Sequence, residues 1–303
     1  MSYSSDVKKE LCRVPLARTC CALAEAYGVL LFCNTFSYRE IRIITESRAF
    51  ASRLPKLWKK AFALGFDRLP EEKAGGKLIF SVTDSEKIKK IFARFGYSPE
   101  TVVAQHINLA VLEEECCCAS FLRGAFLAGG SVTEPSKRYH LELVTPHYFV
   151  RSEALALMLE NGLYPKDLDR NGTYIIYFKQ SEYIEDMLTF IGAPVSAMVI
   201  MSTKVEKELR NSVNRRVNCD SANLDKAVEA AQAQLRAIRR LDLGALPEKL
   251  RRTAQLRLDN PEATLAELAE IHEPKVTKSC INHRLRKLTQ LAEHIKPQSG
   301  QVD

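Results

Sequence analysis

Nowhere in this 303-residue chain does an uninterrupted apolar stretch reach the roughly 20 residues that a helix needs to cross a bilayer. Met1 to Glu10 is polar and lacks the apolar core of an export signal. A cytoplasmic protein with no membrane partner is expected. Also missing are the CxxC or C/H spacings of a zinc site and the dispersed cysteines of a disulfide framework. Of nine cysteines, Cys20 and Cys21 are adjacent and Cys116, Cys117 and Cys118 form a run. Such thiols suit a reducing compartment, where they behave as small buried hydrophobes. No metal and no cofactor are expected. A large excess of one sign of charge is missing too: 44 basic against 37 acidic residues leave only +7. That excess implies a polyanionic partner only if it is concentrated. The remaining composition, 46% hydrophobic and 27% charged, is ordinary for a globular protein, and the length allows two or more cores.

What is present is an internal repeat. Lys77 to Gly96 lies over Thr173 to Gly192 at a constant offset, matching Ser85 with Ser181, Glu86 with Glu182, Ile88 with Ile184 and Gly96 with Gly192. The period is too long for a solenoid and marks a duplicated half. Each half reads as an apolar helix (Arg18 to Phe32; Cys116 to Ala128), then a strand (Glu40 to Thr45; Tyr139 to Thr145). An amphipathic helix follows (Arg48 to Leu64; His147 to Glu160), then a strand (Lys77 to Thr83; Thr173 to Lys179) and a last helix capped near Asp84-Ser85 or Ser181. Asn161-Gly162 and Asn171-Gly172 supply a helix stop and a turn.

The first helix of the second half reads Phe121-Leu-Arg-Gly-Ala-Phe-Leu-Ala-Gly-Gly-Ser-Val132. Small residues at helical spacing let two helices approach backbone to backbone. This string resembles the LAGLIDADG signature of homing endonucleases, and Ala26 to Asn34 is a weaker copy in the first half. In those nucleases the last acid of each motif holds Mg²⁺, which requires carboxylate oxygens. The matching positions here are Cys33 and Gly129, with Leu31 and Leu127 at the earlier acid. These degenerate positions predict no catalytic residue and no cleavage. Relocated acids, Glu25 or Glu134, are the candidates for the opposing reading of an active nuclease.

After Gly192 the pattern changes. Lys204 to Arg216 is charge-rich, and Ala227 to Arg240 reads as a helix whose stripe is Leu224, Val228, Ala231, Leu235 and Ile238. Arg215 and Arg216 open an Arg-Arg-Val-Asn-Cys element with two readings of equal standing: a solvated helix entry or interdomain hinge, or a contact to DNA phosphates. A helix is expected from Pro247 to Leu258, carrying Arg251 and Arg252 as further contact candidates. Thr264 with Glu267 forms a capping box for Leu265 to Ile271, and Thr277 caps a last helix to about His294. In that helix Ile281, Leu285, Leu288 and Ala292 face a core. Lys278, Ser279, Asn282, His283 and Arg286 face away, flanked by Arg284 and Lys287, with Lys275 and Thr277 at the entry. This is the layout of a recognition helix, in which Asn282 and Arg284 can pair bidentately with adenine and guanine. His283 by itself is more often a plain surface residue. From Arg236 to Gln290 there are twelve Lys/Arg against seven Asp/Glu, so the basic excess is concentrated here.

Three strings taken together, Phe121 to Ser131, Arg215-Arg-Val-Asn-Cys-Asp-Ser-Ala-Asn223 and Asn282-His-Arg-Leu-Arg-Lys-Leu288, are similar to the WhiA family of bacterial regulators over essentially the whole chain. Asn34-Thr35 stands where that family usually has glycine. The resemblance implies an α+β fold: a duplicated LAGLIDADG homing endonuclease-like pseudo-dimer without nuclease activity, followed by an all-α helix-turn-helix domain. It implies halves at 1–110 and 111–212, a linker with a helix at 213–243 and the helix-turn-helix at 244–303. The expected partner is double-stranded DNA at the nucleoid, and the expected role is transcription regulation in sporulation, cell division or chromosome segregation. A competing reading makes the duplicated domain a docking body for another transcription or division protein. Oligomeric state stays open, with a monomer the simplest case.

Overall fold

In the computed structural model, which describes residues 2–71, 76–97 and 104–294, the two motif helices meet along their backbones. They are α2 (Thr19–Phe32) and α5 (Glu115–Gly129). A Cβ built on Gly28 would stand 2.0 Å from the Phe121 carbonyl oxygen, and one built on Gly124 would stand 2.0 Å from that of Glu25. The contact is reciprocal, because the sequence offset carries Gly28 onto Gly124 and Glu25 onto Phe121. Only glycine permits this approach. Both helices are buried nearly all round, so their sequences show an apolar run with little facial contrast.

Each helix leads into an antiparallel sheet. In the first half β1 (Thr35–Phe36), β2 (Ile41–Thr45) and β3 (Leu78–Val82) pair in that order; α3 (Arg48–Phe62) and α4 (Ser85–Arg94) complete the half. In the second half β4 (Gly130–Val132), β5 (Leu141–Thr145), β6 (Lys166–Arg170) and β7 (Thr173–Phe178) run in the order β4-β5-β7-β6, with α6 (Tyr148–Glu160) and α7 (Ser181–Ile191). Asn171 and Gly172, both at positive φ, form the tight turn between β6 and β7. A buried charge cluster ties the helices together. Arg53 of α3 donates through Nε and Nη2 to both oxygens of Glu25, at 2.6 and 2.8 Å, and Arg123 of α5 reaches the same carboxylate at 3.3 Å.

Three features differ from the sequence reading. Residues Tyr3–Leu11 form a helix, α1, because Tyr3, Val7 and Leu11 recur every four residues and are all buried; its polar remainder hides the stripe. Glu10 of α1 accepts hydrogen bonds from the Val195 and Ser196 amides, at 2.8 and 2.9 Å. It thereby satisfies the open start of the helix that begins at Pro194 with a carboxylate. Strands β1, β4 and β6 were not expected. β6, Lys-Asp-Leu-Asp-Arg, has too little apolar alternation to be read as a strand and is held by its pairing with β7. Finally, α8 runs unbroken over Pro194–Ile238 rather than starting near Ala227. No glycine or proline follows Pro194 until Gly244, so the charge-rich segment has nothing to stop a helix.

The chain divides into two compact units, Met1–Glu208 and Leu209–Asp303, and the division falls within α8. The second unit contains the end of α8, α9 (Glu248–Asp259), α10 (Leu265–Ile271) and α11 (Lys278–Glu293) around a core of Ile238, Leu250, Ala254, Leu268, Ile281, Leu285 and Leu288. Ile238 is buried there, whereas Leu224 and Val228 of the same stripe are exposed. Residues 295–303 of the expected helix-turn-helix segment lie outside the described residues.

Because the helix contact tolerates no side chain, Gly124→Ala should lower the stability of the first unit by about 3 kcal/mol, the upper range for overpacking. Gly65→Ala, with nothing near its Cβ, should change it by less than about 0.5 kcal/mol. The chain's single tryptophan, Trp58, is fully buried in this unit, so its fluorescence during urea unfolding of the full-length protein reports both.

Candidate nucleic-acid interface

Two places on the fold are candidates for contact with nucleic acid: the C-terminal ends of α2 and α5, which match the motif ends, and the outer face of α11.

At the helix ends the residues do not fit a divalent metal. Cys33 ends α2 with its thiol buried against the carbonyl oxygens of Leu30 and Thr35, at 3.1 and 3.2 Å, and burial pushes it up to about 12. At Gly129 a Cβ would lie 2.4 Å from the Val144 carbonyl oxygen and 3.0 Å from that of Phe32. An aspartate cannot occupy position 129 without displacing the sheet. The carbonyls nearby are taken as well: Thr145 Oγ1 donates to Leu31 O at 2.9 Å, and Lys8 Nζ of α1 donates to Leu127 O at 3.1 Å. An ammonium therefore sits where an incoming cation would need negative oxygens. Lys8 borders an open cleft of ≈ 590 Å³ with Asn34, Ser47 and Lys77.

Neither relocated acid substitutes. Glu25 is buried and committed to Arg53 and Arg123. Glu134 is exposed beyond β4. Among the described residues, no group of acids lies close enough to hold an ion; the one cluster with metal-ligand spacing consists of Cys20, Cys21, Cys116 and Cys117.

In the second unit, Thr264 and Glu267 form the capping box of α10, with Glu267 Oε2 accepting from Thr264 N at 2.7 Å. Thr277 caps α11 by accepting from Cys280 N. These caps fix the turn that presents α11. Lys278, Ser279, Asn282, His283, Arg286 and Lys287 are all exposed on it, while Ile281, Leu285, Leu288 and Ala292 are buried. Lys278, Arg286 and Lys287 make no ion pair among the described residues. Lys275 pairs with Glu270 at 2.9 Å, and Arg251 and Arg252 both pair with Glu248. Arg215 and Arg216 are exposed on α8, within its unbroken helical run.

Arg284 is different from expectation. It is half-buried and donates through Nη1 to His272 Nε2 at 3.0 Å and to Thr253 Oγ1 at 3.4 Å. His272 is itself buried, and its Nδ1 lies 2.9 Å from Pro274 O, so a neutral ring with its proton on Nδ1 satisfies both contacts. Arg284 thus locks α11 to α9 and to the turn instead of standing beside the outward residues. Arg257, buried and bonded to Ala263 O at 2.6 Å, is a second basic residue serving the interior. Sequence spacing alone placed Arg284 at the edge of the stripe, where a long side chain can turn either way.

Burial lowers the Lys8 ammonium to about 8, below the ordinary 10.5. Between those values the unfolded chain holds a proton on Lys8 that the folded chain has released, so the contribution of Lys8 to stability rises with pH across that window, opposite in sign to that of the buried Cys33 thiol. Lys8→Met should remove this rise, as read by Trp58 fluorescence in urea titrations between pH 7.5 and 10.5. An unchanged pH profile would contradict the burial of this charge.

Family models match the chain in two places: residues 118–210 fit the WhiA LAGLIDADG-like domain, and residues 213–292 fit the WhiA C-terminal HTH domain. A protein of Ruminiclostridium cellulolyticum named "Probable cell division protein WhiA" is 37% identical over 309 residues, covering 98% of each chain. One of the same name from Bacillus licheniformis is 38% identical over 314 residues, covering 99% of this chain and 98% of the relative. The crystal structure of full-length WhiA from Thermatoga maritima matches 98% of this chain and all of that one, with a TM-score of 0.59 at 26% identity. With its duplicated LAGLIDADG-like body and its helix-turn-helix, this chain belongs to the WhiA family.

Proposed function

We propose that this protein is a sequence-specific regulator that binds double-stranded DNA through the outer face of α11 and has no nuclease activity. The observation that carries this reading is the exposed row Lys278, Ser279, Asn282, His283, Arg286 and Lys287 on a doubly anchored helix. Asn282 supplies base-edge recognition, since its amide can donate to and accept from adenine. Ser279 and His283 sit beside it on the same face, while Lys278, Arg286 and Lys287 supply phosphate contacts that hold the register. Arg215, Arg216, Arg251, Arg252 and Lys275 add to the electrostatic attraction, screened where they are paired. Arg284 acts as a positioning residue for the helix.

The absence of cleavage is supported by the buried Cys33 thiol, the space denied at Gly129 and the ammonium of Lys8. The process is cell division, supported by the names that the curated relatives carry; sporulation and chromosome segregation stand beside it as roles the family resemblance implies. The protein then works at the nucleoid, in the cytoplasm.

A second reading gives the duplicated body a protein partner. It is favoured by the registered row Ser131, Glu142, Tyr177 and Lys166 across the second sheet, in which Glu142 accepts from Ser131. This row mixes charge and an aromatic side chain instead of forming a cationic track.

Binding of full-length protein to a duplex selected from a random pool separates these roles. Asn282→Ala should lose about 1–3 kcal/mol on the selected site and little on unrelated DNA. Lys287→Ala should weaken both and reduce the salt slope by about 1. Equal losses on both duplexes for both variants would refute base reading by α11. Arg284→Ala should lower the unfolding stability of the second unit by about 1–2 kcal/mol through the partners it abandons. Supercoiled plasmid incubated with the protein and Mg²⁺ should stay uncut, and any nicking that follows the protein through purification would overturn the non-enzymatic reading.

A further inference from the structure

We infer that Cys20, Cys21, Cys116 and Cys117 form a zinc site that staples the N-terminal ends of α2 and α5. Their four Sγ atoms lie within 4.8 Å of one another, and the Cys20 and Cys21 sulfurs are 4.0 Å apart. A tetrahedral zinc with four thiolates at its usual bond length separates its sulfurs by about 3.8 Å. Closing the cluster onto an ion therefore needs shifts of an ångström or less. The inorganic core of an iron–sulfur cluster would hold the sulfurs farther apart, so a single borderline-soft ion fits this spacing better.

The sequence reading set metal aside because neither half contains a CxxC pair. The ligands instead come as two adjacent pairs from two helices. The repeat offset carries Cys20 onto Cys116 and Cys21 onto Cys117. Each pair precedes its glycine, Gly28 or Gly124, by about two helical turns, so the backbone contact that joins the helices also brings the pairs together.

Two further features suit a doubly negative tetrathiolate centre. The cysteines are the second and third residues of α2 and of α5, and neither helix has a side-chain cap on its first amides. Two helix N-termini without a side-chain cap place partial positive charge beside these sulfurs. The Arg18 guanidinium lies 3.7 Å from Cys116 Sγ. Access is open, since Cys20 is exposed, Cys21 and Cys116 are half-buried and only Cys117 is buried.

The test uses full-length protein prepared under reducing conditions, with Zn²⁺ and then Co²⁺ as probes. Wild-type protein should carry or take up one zinc per chain. Its cobalt form should show the intense visible bands of tetrahedral thiolate coordination. The double variant Cys20→Ser/Cys116→Ser, which alters accessible positions, should bind more than about 100-fold more weakly, beyond what losing outer-sphere partners costs. Cys219→Ser, an exposed thiol elsewhere, should bind as wild type. A strong chelator should lower the melting temperature of the wild type and leave the double variant unchanged. Wild-type protein that takes up neither ion, a cobalt spectrum that survives the double substitution, or a Cys20–Cys117 or Cys21–Cys116 disulfide in freshly prepared protein would each overturn the site.

Discussion

Two glycines facing two carbonyls set the geometry of the first unit. Gly28 and Gly124 let α2 and α5 cross with their backbones in contact, and every neighbouring feature takes its position from that crossing. The Glu25–Arg53–Arg123 cluster sits beside it, with Arg53 also bonded to the carbonyls of Cys12 and Val14 and Arg123 to that of Ile191. Burying such charges is tolerable because each is paired and hydrogen-bonded; removing one partner would strand the others. The duplicated halves thus share one core, and the seam between them leaves no room for a side chain at Gly28 or Gly124.

The two ends of the helix pair carry opposite donor chemistry. At the C-terminal ends, the positions that would offer carboxylates offer a buried thiol and a glycine, with an ammonium drawn in from α1. At the N-terminal ends, four sulfurs gather within 4.8 Å of one another. One end offers no hard oxygen side chains at the motif positions, while the other gathers four soft thiols. Donor chemistry, not overall shape, separates this body from the nucleases whose signature it resembles.

Much of this was legible in the sequence, for identifiable reasons. The repeat exposed the duplicated strands and helices because Ser85/Ser181 and Gly96/Gly192 keep their spacing. The capping residues Thr264, Glu267 and Thr277 bounded the helices of the second unit, since a cap is a local interaction. Features that depend on distant partners stayed hidden. Helix α1 shows only three apolar residues until the body buries them, and β6 has no strand pattern apart from its pairing with β7. Arg284 was read as outward because helical spacing gives a direction for Cβ, not for a guanidinium four bonds away. The cysteine cluster was missed because its ligand spacing exists across two helices and not along one.

The account rests on α11 as the surface that selects DNA. The most direct measurement is a genome-wide map of sites occupied in cells by wild-type protein and by an Asn282→Ala/Arg286→Ala variant expressed at the same level and folded to the same extent. Discrete peaks sharing a sequence, lost in the variant, are the predicted result. Peaks that persist unchanged in position and height with that helix face altered would contradict it.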